Sequence, residues 1–235
     1  MFKNLNKTKI KPKRIVIFGS GGFIGKNLIS FLENENFNVI GIGSKDIDLT
    51  KRNAVSQIKD LIKENDNVVF LSALTPDKGK DLNTYNKNIE MINNLISGIY
   101  EKKLNHFLYF SSDAVYGFDQ TLITEKTPIS PSDYYSLMHI TRELMIKNEI
   151  KCPFLLLRPT AVFGFGDTHN SYGPNRFINN AISEKKIILG GEGEETRDHI
   201  FVSDLVQLTV LCILYKSSGI LNAASGFSIS FMELA

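Results

Sequence analysis

The chain has few cysteines, no tryptophan and no long hydrophobic segment. Two of its 235 residues are cysteines, Cys152 and Cys212, and both lie in apolar stretches without disulfide-framework or metal-ligand spacing. Apolar stretches such as 208–215 are too short to cross a bilayer. A net charge of +2 gives no general attraction to nucleic acid or to an anionic membrane. The composition therefore predicts a cytoplasmic protein with reduced cysteines, no metal, and no membrane or nucleic-acid partner.

Basic residues are concentrated at the start of the chain. Five lysines and one arginine lie between residues 3 and 14, and no apolar segment of the signal-peptide type follows them. We therefore expect residues 1–13 to form a flexible basic tail. A chain of this length with 43% hydrophobic residues can bury the core of one domain, or of one domain with a small lobe.

Short apolar segments alternate with segments of helical periodicity. Strands are predicted at 15–18, 39–42, 68–72, 106–111 and 154–157, and helices at 26–33, 52–63, 84–102 and 133–148. Apolar strands separated by helices predict an α/β fold with a Rossmann-like, doubly wound parallel sheet. Ligands of such sheets bind at the carboxyl ends of the strands. Between 163 and 176 the pattern loosens into Gly, Pro and Asn, which predicts a small separate lobe.

The first predicted strand runs directly into a glycine-rich turn. Gly19, Gly22 and Gly25, with Phe23 and Ile24 between them, follow the strand and lead into the first predicted helix. Backbone N–H groups at such a turn and the positive end of the helix dipole favour a pyrophosphate. Glycine is needed where the chain turns sharply, where phosphate approaches the backbone and where the helix packs on the strand. The segment therefore predicts dinucleotide binding.

The end of the second predicted strand bears on which dinucleotide is bound. NAD-binding sites of this type carry an acidic residue there, which accepts hydrogen bonds from the ribose hydroxyls. Here the strand ends in Gly43, Ser44 and Lys45, with no acid at its tip. Gly43 leaves room for the 2′-phosphate of NADP, Ser44 can donate a hydrogen bond, and Lys45 can supply charge. The sequence thus favours NADP over NAD, although Lys45 could equally be a solvated loop residue.

Further motifs occur in the order of a known family over nearly the whole chain. They are Gly-Ser-Gly-Gly-Phe-Ile-Gly at 19–25, Ser-Ser-Asp-Ala-Val-Tyr-Gly at 111–117, Leu-Arg-Pro-Thr at 157–160, Gly-Glu-Gly-Glu-Glu-Thr-Arg-Asp-His-Ile at 191–200 and Val-Ser-Asp at 202–204, with Asn88 between the first two. With these motifs the chain resembles the extended short-chain dehydrogenase/reductases, specifically the NAD(P)-dependent epimerase/dehydratase family that acts on nucleotide sugars.

The resemblance implies a catalytic tyrosine and a nearby hydroxyl. The family pattern is Tyr, three residues, Lys, with an acid four residues further on. Aligning that acid with Glu143 makes Tyr135 the acid/base and puts His139 where the family has lysine. Using Tyr134 instead would put a methionine there. The family's hydroxyl, four positions before the tyrosine of the 111–117 motif, is Ser112; its structural alternative is a strand-end turn.

The histidine at the lysine position changes the expected electrostatics. A free tyrosine titrates near pH ~10, so neutral-pH catalysis asks for a nearby permanent charge, which a histidine with a pKa of ~6.5 mostly does not supply at pH 7. Four-residue spacing puts Tyr135 and His139 on one helix face. An adjacent tyrosinate would raise the pKa of His139, and the pair would titrate together. We therefore expect weak turnover favoured by mildly acidic pH, and a gain at pH 8 from His139→Lys.

The same resemblance assigns binding residues. The implied cofactor contacts are Asp48, which meets the adenine amino group, and Leu71, Ala73 and Pro159. On the substrate side, Arg197 would contact the diphosphate of a nucleotide sugar; the alternative is an ion pair with Asp198 or Asp204. Asn175, before the helix of the small lobe, and Asp113 complete the substrate set. Asp113 lacks the neighbouring carboxylate that the family's dehydratases use, so dehydration is disfavoured.

Two functions remain open at this stage. One is a nucleotide-sugar epimerase or 4-keto-sugar reductase that works through Ser112 and Tyr135. The other is a catalytically weakened NADP-binding sensor or scaffold of the same fold. The expected organisation is a sheet domain at 14–162, small-lobe elements at 163–200, a return to the sheet domain at 201–224, and the start of a C-terminal lobe at 225–235, which is either naturally short or truncated. The resemblance also suggests a homodimer through the helices at 84–102 and 133–148.

Overall fold

The structure is a computed structural model that describes residues 2–117, 122–167 and 173–235. Its strands are β1 (Lys3–Asn4), β2 (Ile15–Phe18), β3 (Val39–Ile42), β4 (Asn67–Phe70), β5 (His106–Phe110), β6 (Phe154–Pro159), β7 (Ala161–Phe163), β8 (Thr196–Phe201), β9 (Ser217–Ala223) and β10 (Ser228–Ser230). Its helices are α1 (Phe23–Asn34), α2 (Ala54–Leu61), α3 (Leu82–Ile99), α4 (Tyr134–Glu149), α5 (Pro174–Glu184), α6 (Val202–Leu214) and α7 (Phe231–Leu234), with 3-10 turns at Pro76–Lys78 and Asp113–Tyr116.

The main sheet confirms the predicted doubly wound α/β fold. Its strand order is β1-β9-β6-β5-β4-β2-β3, and every pairing is parallel except that of β1 with β9. The predicted strands and helices agree with the observed ones to within a few residues. The chain order reverses at β2, which lies between β3 and β4. In open α/β sheets, ligands bind in the crevice beyond the carboxyl ends of the strands at such a reversal.

Helices cover both faces of the main sheet because its strands are apolar on both sides. In β2, Ile15 and Ile17 face the core beneath α1 and α6, whereas Val16 and Phe18 face the core beneath α2, α3 and α4. All four side chains are fully buried. This two-sided burial explains why the strand reads as a continuous apolar run instead of an alternating one.

Polar residues set the starts of the two helices that flank the candidate site. The Asp81 carboxylate accepts the N–H of Thr84 at 2.8 Å and caps α3. Asp133 caps α4 by accepting the N–H of Ser136 at 2.7 Å, and the Ser136 hydroxyl in turn accepts the N–H of Asp133. This capping box fixes the first turn of α4, which contains Tyr135.

A second, three-stranded sheet with the order β10-β8-β7 lies in the region where the sequence analysis expected a small lobe. Strands β7 and β8 pair parallel, and β10 pairs antiparallel with β8. This sheet was not predicted from the sequence, because its three strands come from distant segments and two of them have only three residues. Residues 168–172, within the segment where the lobe was expected, lie outside the described residues.

The N-terminal segment differs from the expected flexible tail. Lys3–Asn4 forms an edge strand on β9, and the backbone N–H of Leu5 donates to the carbonyl of Tyr215 at 3.1 Å. Further along, Lys11 Nζ donates to the carbonyls of Glu35 and Asn36 at 2.9 and 2.8 Å. These residues supply donors to an open sheet edge and to carbonyls just beyond the end of α1. Within the described ranges, no helix is both long and apolar enough to span a membrane.

Candidate functional site

The glycine turn lies at the carboxyl edge of the main sheet, against the end of β4. Gly19 has a φ of +95°, and a Cβ there would come within 2.8 Å of the Ser72 nitrogen. A Cβ on Gly25 would overlap the carbonyl oxygen of Gly19, whereas one on Gly21 would meet nothing within 4 Å. The turn is therefore closed toward the sheet and open on its outer side. Only glycine fits at both closed positions.

The predicted phosphate-binding residues open helix α1. Gly22 is the N-cap of α1, and Phe23 and Ile24 are its first two residues. The first N–H groups of a helix have no intrahelical partner and attract an anion. Leu71 lies next to this turn, because its N–H donates to the carbonyl of Phe18 at 2.8 Å. The geometry therefore fits the pyrophosphate of a dinucleotide.

The other predicted cofactor residues lie along the same edge. Ala73 follows β4, and Pro159 ends β6, buried and in register with Ala223 of β9. Asp48 follows β3, is exposed, and accepts the N–H and the hydroxyl of Thr50 at 3.0 and 2.7 Å. These two hydrogen bonds lower the pKa of Asp48. The Asp48 carboxylate therefore stabilises the turn toward Thr50 in its own loop.

The loop after β3 contains an acid that the sequence analysis overlooked. Ser44 and Lys45 are exposed, as expected for a loop. Asp46, however, turns back so that Oδ2 accepts the N–H of Gly43 at 2.8 Å. A Cβ built on Gly43 would lie 3.5 Å from this oxygen and 3.5 Å from the hydroxyl of Ser20. The space that glycine leaves beyond β3 is therefore bordered by a carboxylate.

The two serines after β5 have different partners. Ser111 donates to Glu143 Oε1 at 2.7 Å in a buried contact. Ser112 is the N-cap of the 3-10 turn; its Oγ accepts the Ala114 N–H at 3.1 Å and donates to Asp113 Oδ1 at 3.2 Å. Ser111 is thus committed to a structural hydrogen bond. This agrees with the choice of Ser112 as the functional hydroxyl.

Glu143 is the centre of a buried network that fixes α4 to the sheet. Arg158 of β6 donates from Nε and Nη2 to the two Glu143 oxygens at 2.8 and 2.6 Å. Its Nη1 donates to the Tyr116 hydroxyl at 2.7 Å, and that hydroxyl donates to Asn222 Oδ1 at 2.8 Å. Arg158 and Glu143 are each 2% exposed. A bidentate, fully partnered pair of this kind gives α4 a defined position.

The first turn of α4 presents two neighbouring tyrosines in different settings. Tyr134 is 43% exposed and packs on Tyr85 with ring centroids 5.8 Å apart. Tyr135 is half-buried, and its ring meets that of His139 edge-on at 4.7 Å between centroids. The expected sharing of one helix face by Tyr135 and His139 is confirmed. This arrangement supports the choice of Tyr135 over Tyr134.

His139 is a buried, neutral imidazole. It is 2% exposed, and its Nδ1 lies 2.7 Å from the Tyr109 hydroxyl. Its Nε2 has no hydrogen-bond partner among the described residues. Burial, reinforced by the nearby Arg142, lowers the pKa of His139 well below 6.5. The expectation that a tyrosinate raises this pKa is therefore corrected, since desolvation of the imidazolium dominates. Because the predicted preference for mildly acidic pH depended on a raised pKa of His139, that preference loses its physical reason.

A buried arginine lies beneath these residues. Arg142 is fully buried; Nε and Nη2 donate to the carbonyl of Asn88 at 3.0 and 2.5 Å, and Nη1 donates to the carbonyl of Ser72 at 2.8 Å. Its guanidinium lies over the Phe70 ring, 5.0 Å from the centroid. Burial lowers the pKa of Arg142, but a guanidinium stays protonated in proteins. A permanent positive charge is thus held at the carboxyl edge of the sheet.

The predicted substrate residues occupy the second sheet and the loops beside it. Burial raises the pKa of Asp113, and its hydrogen bond to Ser112 and the field of Arg197 oppose this rise. Arg197 of β8 pairs with Glu195 at 2.5 Å, an acid that the sequence analysis did not consider. Asn175 donates to the carbonyl of Gly164 at 2.8 Å, and its Oδ1 accepts the Gly164 N–H at 3.3 Å. Asp113 and Arg197 are therefore close enough to interact, whereas Asn175 holds the loop after β7.

Comparison with known proteins identifies the family. A profile of the NAD dependent epimerase/dehydratase family matches residues 15–224. The chain belongs to this family. An uncharacterized UDP-glucose epimerase of Bacillus subtilis is 26% identical over 83% of this chain and 70% of its own length. A GDP-6-deoxy-D-talose 4-dehydrogenase of Aggregatibacter actinomycetemcomitans is 30% identical over 81% of this chain and 67% of its own.

Other members of the epimerase/dehydratase family are longer than this chain. A dTDP-D-glucose 4,6-dehydratase of Dictyostelium discoideum is 24% identical over 98% of this chain, which spans only 62% of that protein. Among solved structures, the Helicobacter pylori ADP-L-glycero-D-manno-heptose-6-epimerase superposes with a TM-score of 0.83 at 19% identity, over 95% of this chain and 80% of that one. A Thermus thermophilus UDP-glucose 4-epimerase, solved with NAD, gives 0.80 at 17%, over 94% and 80%. These structures support the Rossmann fold.

Three residues of the site were missed by sequence reasoning. They are Asp46, Tyr109 and Arg142. Asp46 lies three positions after Gly43, within reach of a tight turn. Arg142 lies seven positions after Tyr135, two helical turns along the same face. The sequence gives no signal for Tyr109, because its contact joins a strand to a helix 30 residues away.

Proposed function

We propose that this protein is a nucleotide-sugar epimerase or 4-keto-sugar reductase in which Tyr135 is the acid/base and Ser112 holds the same substrate oxygen. The observation that carries the proposal is the fixed relationship between the segments bearing these residues. Ser112 caps the 3-10 turn after β5, and Tyr135 lies in the first turn of α4. Ile140 of α4 packs with Val115 and Tyr116 of that turn, at the edge that carries the glycine turn.

The chemistry required of the chain is the movement of one proton. When bound at the glycine turn, a nicotinamide dinucleotide would supply the hydride chemistry at the sugar carbon. The Tyr135 hydroxyl takes the proton from the sugar hydroxyl during oxidation and returns it during reduction. Ser112 can turn its hydroxyl hydrogen toward the same oxygen, because its bond to Asp113 is long at 3.2 Å while the N–H of Ala114 keeps its oxygen in position.

The substrate's remaining groups are assigned to Asp113 and Arg197. The Arg197 side chain is 31% exposed, so its guanidinium can reach a diphosphate outside the main sheet. Asp113, next to Ser112, can bind a sugar hydroxyl. Burial raises the pKa of this carboxyl, and its oxygens can accept hydrogen bonds from the sugar. These assignments follow the family resemblance and the proximity of the two residues.

Asp46 changes the expected cofactor preference. From the sequence, Gly43, Ser44 and Lys45 favoured NADP over NAD. A carboxylate beside Gly43 would repel a 2′-phosphate and could accept hydrogen bonds from ribose hydroxyls. Lys45 would favour the phosphate, but it is exposed and well screened. We therefore propose that NAD is preferred over NADP, the reverse of the expectation from the sequence.

The proposal is tested by cofactor binding followed by turnover. Titration with NADH and NADPH, followed by nicotinamide fluorescence, gives the affinities. UDP-, GDP- and dTDP-linked hexoses and their 4-keto forms are then assayed by NMR and by absorbance at 340 nm. An epimerase inverts a sugar centre with no net change at 340 nm, whereas a reductase consumes NADH stoichiometrically. Tyr135→Phe should abolish either reaction and the neighbouring Tyr134→Phe should not. Equal turnover in both variants contradicts the role of Tyr135.

A sensor or scaffold is the second candidate, and the neutral His139 in place of the family's lysine favours it. Such a protein binds the dinucleotide at the glycine turn without turning over a sugar. Tight NADH binding with no product from any nucleotide sugar would therefore overturn the enzymatic proposal in favour of this one.

A further inference from the structure

The position that carries lysine in the family is occupied by a linked set of buried side chains. The Tyr109 hydroxyl lies 2.7 Å from His139 Nδ1, and the two rings are tilted, with centroids 5.9 Å apart. His139 touches Tyr135 edge-on. Arg142, one turn further along α4, interacts electrostatically with Tyr109, Tyr135 and His139. Asn88, which accepts Arg142 Nη2 at its carbonyl (2.5 Å) and at Oδ1 (3.1 Å), lines one small pocket together with Tyr135, so the geometry also places this cation near Tyr135.

The hydrogen bond from Tyr109 determines which nitrogen of His139 carries the proton. The positive charge of Arg142 beside the phenol oxygen favours a hydroxyl hydrogen that points away from it, toward His139 Nδ1. If Nδ1 accepts this hydrogen bond, a neutral imidazole has its hydrogen on Nε2. That nitrogen is buried without a partner among the described residues. A buried N–H left unpaired costs free energy, which the hydrogen bond from Tyr109 to Nδ1 has to offset.

The hydrogen-bond partners of the Arg142 guanidinium leave its charge uncompensated. It is fully buried and donates to two backbone carbonyls, those of Asn88 and Ser72, neither of which carries a net charge. In contrast, Arg158 is paired with a carboxylate, Glu143. A guanidinium that is neutralised by no salt bridge among the described residues exerts its field on its surroundings with little screening.

We propose that Arg142 is the positioning residue that supplies the permanent positive charge for Tyr135, and that Tyr109 fixes His139 as a neutral imidazole with its proton on Nε2. The charge that lysine supplies in the family thus comes from Arg142, one turn further along the helix. This inference rests on the proposed role of Tyr135 as acid/base. His139 exchanges no proton in the reaction; the proton passes only between the Tyr135 oxygen and the substrate oxygen.

Other groups around the cluster do not supply this charge. From β5 the cluster is faced by Tyr109, and from α4 by Tyr135, Arg142 and Glu143. Helix α3 contributes the neutral Asn88 and Met91, and its Tyr85 bonds the Thr141 hydroxyl at 3.1 Å; β4 contributes the ring of Phe70. Since Glu143 is satisfied by Arg158 and Ser111, Arg142 is the cation available to Tyr135 within this set.

The charge is tested by titrating Tyr135 without substrate. The chain has no tryptophan, so absorbance at 295 nm reports tyrosinate, and the difference between wild type and Tyr135→Phe isolates this residue. Arg142→Gln should raise the pKa of Tyr135 by on the order of one unit, a tenfold change in the acid constant. Arg142→Lys should retain most of the wild-type value despite losing part of its hydrogen bonds. Lys147→Gln removes a half-exposed charge from the same helix. Because Lys147 pairs with Glu143 Oε2 at 3.5 Å, whereas Ser111 bonds Oε1, this variant should leave the pKa of Tyr135 unchanged. Equal Tyr135 titrations in wild type and Arg142→Gln overturn the proposal.

The tautomer is tested separately by nitrogen-15 NMR. The chain has four histidines, so the His139 signals can be assigned by comparison with His139→Gln. The wild type should show a protonated Nε2 and an unprotonated Nδ1 between pH 6 and 8, and Tyr109→Phe should give a mixture. A protonated Nδ1 in the wild type overturns the assigned role of Tyr109, and this readout stands even if an Arg142 variant does not fold.

These measurements separate this inference from the proposed function. Where turnover is found, the pH at which kcat/KM reaches half its maximum should rise in Arg142→Gln in parallel with the Tyr135 titration, and Arg142→Lys should restore it. Absence of turnover in the wild type would contradict the enzymatic function, whereas an unshifted Tyr135 titration would contradict only the role of Arg142.

Discussion

The Ser111 hydroxyl donates to Glu143 Oε1 at 2.7 Å, and this buried bond joins the end of β5 to the middle of α4. Ser112 is the residue after Ser111, and Tyr135 lies two turns before Glu143 on α4. Because Arg158 fixes the same carboxylate from β6, the two segments have little freedom to move apart. A structural network next to the site thus sets the distance over which the proposed chemistry takes place.

The two adjacent serines should respond differently to the same substitution. Ser111→Ala removes a buried hydrogen bond to a carboxylate and should lower the free energy of unfolding by about 2 kcal/mol. Ser112→Ala should cost only about 1 kcal/mol of stability, as for loss of a cap, but should lower kcat by roughly 10²-fold. Urea unfolding and steady-state assays on both variants check this. A larger loss of kcat in Ser111→Ala would mean that the serines have been assigned in the wrong register.

Introducing the family's lysine should not rescue this site. The sequence alone predicted that His139→Lys raises activity at pH 8. With Arg142 buried one turn away, a second cation would be repelled by about 3 kcal/mol at an effective dielectric of ~20. We therefore expect His139→Lys to be less stable than the wild type and no more active. Thermal unfolding and kcat at pH 8 decide the matter; a gain from this variant would show that the charge of Arg142 does not reach Tyr135.

Cofactor choice should depend on the Asp46 carboxylate. Asp46→Asn keeps an oxygen able to accept the Gly43 N–H but removes the charge, so NADPH should bind about 10-fold more tightly while NADH weakens slightly. Lys45→Gln is the matched neighbouring control and should shift the ratio the other way by a smaller factor, because Lys45 is exposed. Fluorescence titration gives all four affinities. Unchanged NADPH affinity in Asp46→Asn would rule out the carboxylate as the determinant.

Acid should destabilise the fold partly through His106. Its Nε2 lies 2.7 Å from the Ser217 carbonyl, and burial lowers the pKa of His106 to about 4. In the unfolded chain His106 takes up a proton near pH 6.5, whereas in the folded protein it does so only near pH 4. The contribution of this residue to the free energy of unfolding is therefore constant above pH 6.5 and decreases as the pH falls from 6.5 toward 4. Between pH 7 and 5 this amounts to about 2 kcal/mol. His106→Gln, which can still donate to Ser217, should lose that much less stability over the same range in urea titrations. An identical pH dependence in the variant would contradict the shifted pKa.

The amino-acid sequence by itself determined the architecture and the location of the cofactor turn. Uninterrupted apolar strands require helices on both faces, and Gly19 and Gly25 occupy positions where a Cβ would collide with the backbone. The apolar strand pattern, the positive φ of Gly19 and the contact of Gly25 with the Gly19 carbonyl are local and can be read along the chain. The closeness of Gly19 to Ser72 is set by the fold. The resemblance to the family likewise predicted roles for Ser112 and Tyr135 and a departure at His139.

Only the tertiary structure decided how these residues behave electrostatically. The pKa of His139 is lowered instead of raised because β5 and α4 enclose it, and the charge of Arg142 lies beside it because Asn88 and Ser72 receive its guanidinium. Asp46 borders Gly43 because its loop turns back. Desolvation and Coulomb energies depend on distances between segments far apart in the chain, and a sequence pattern does not contain those distances.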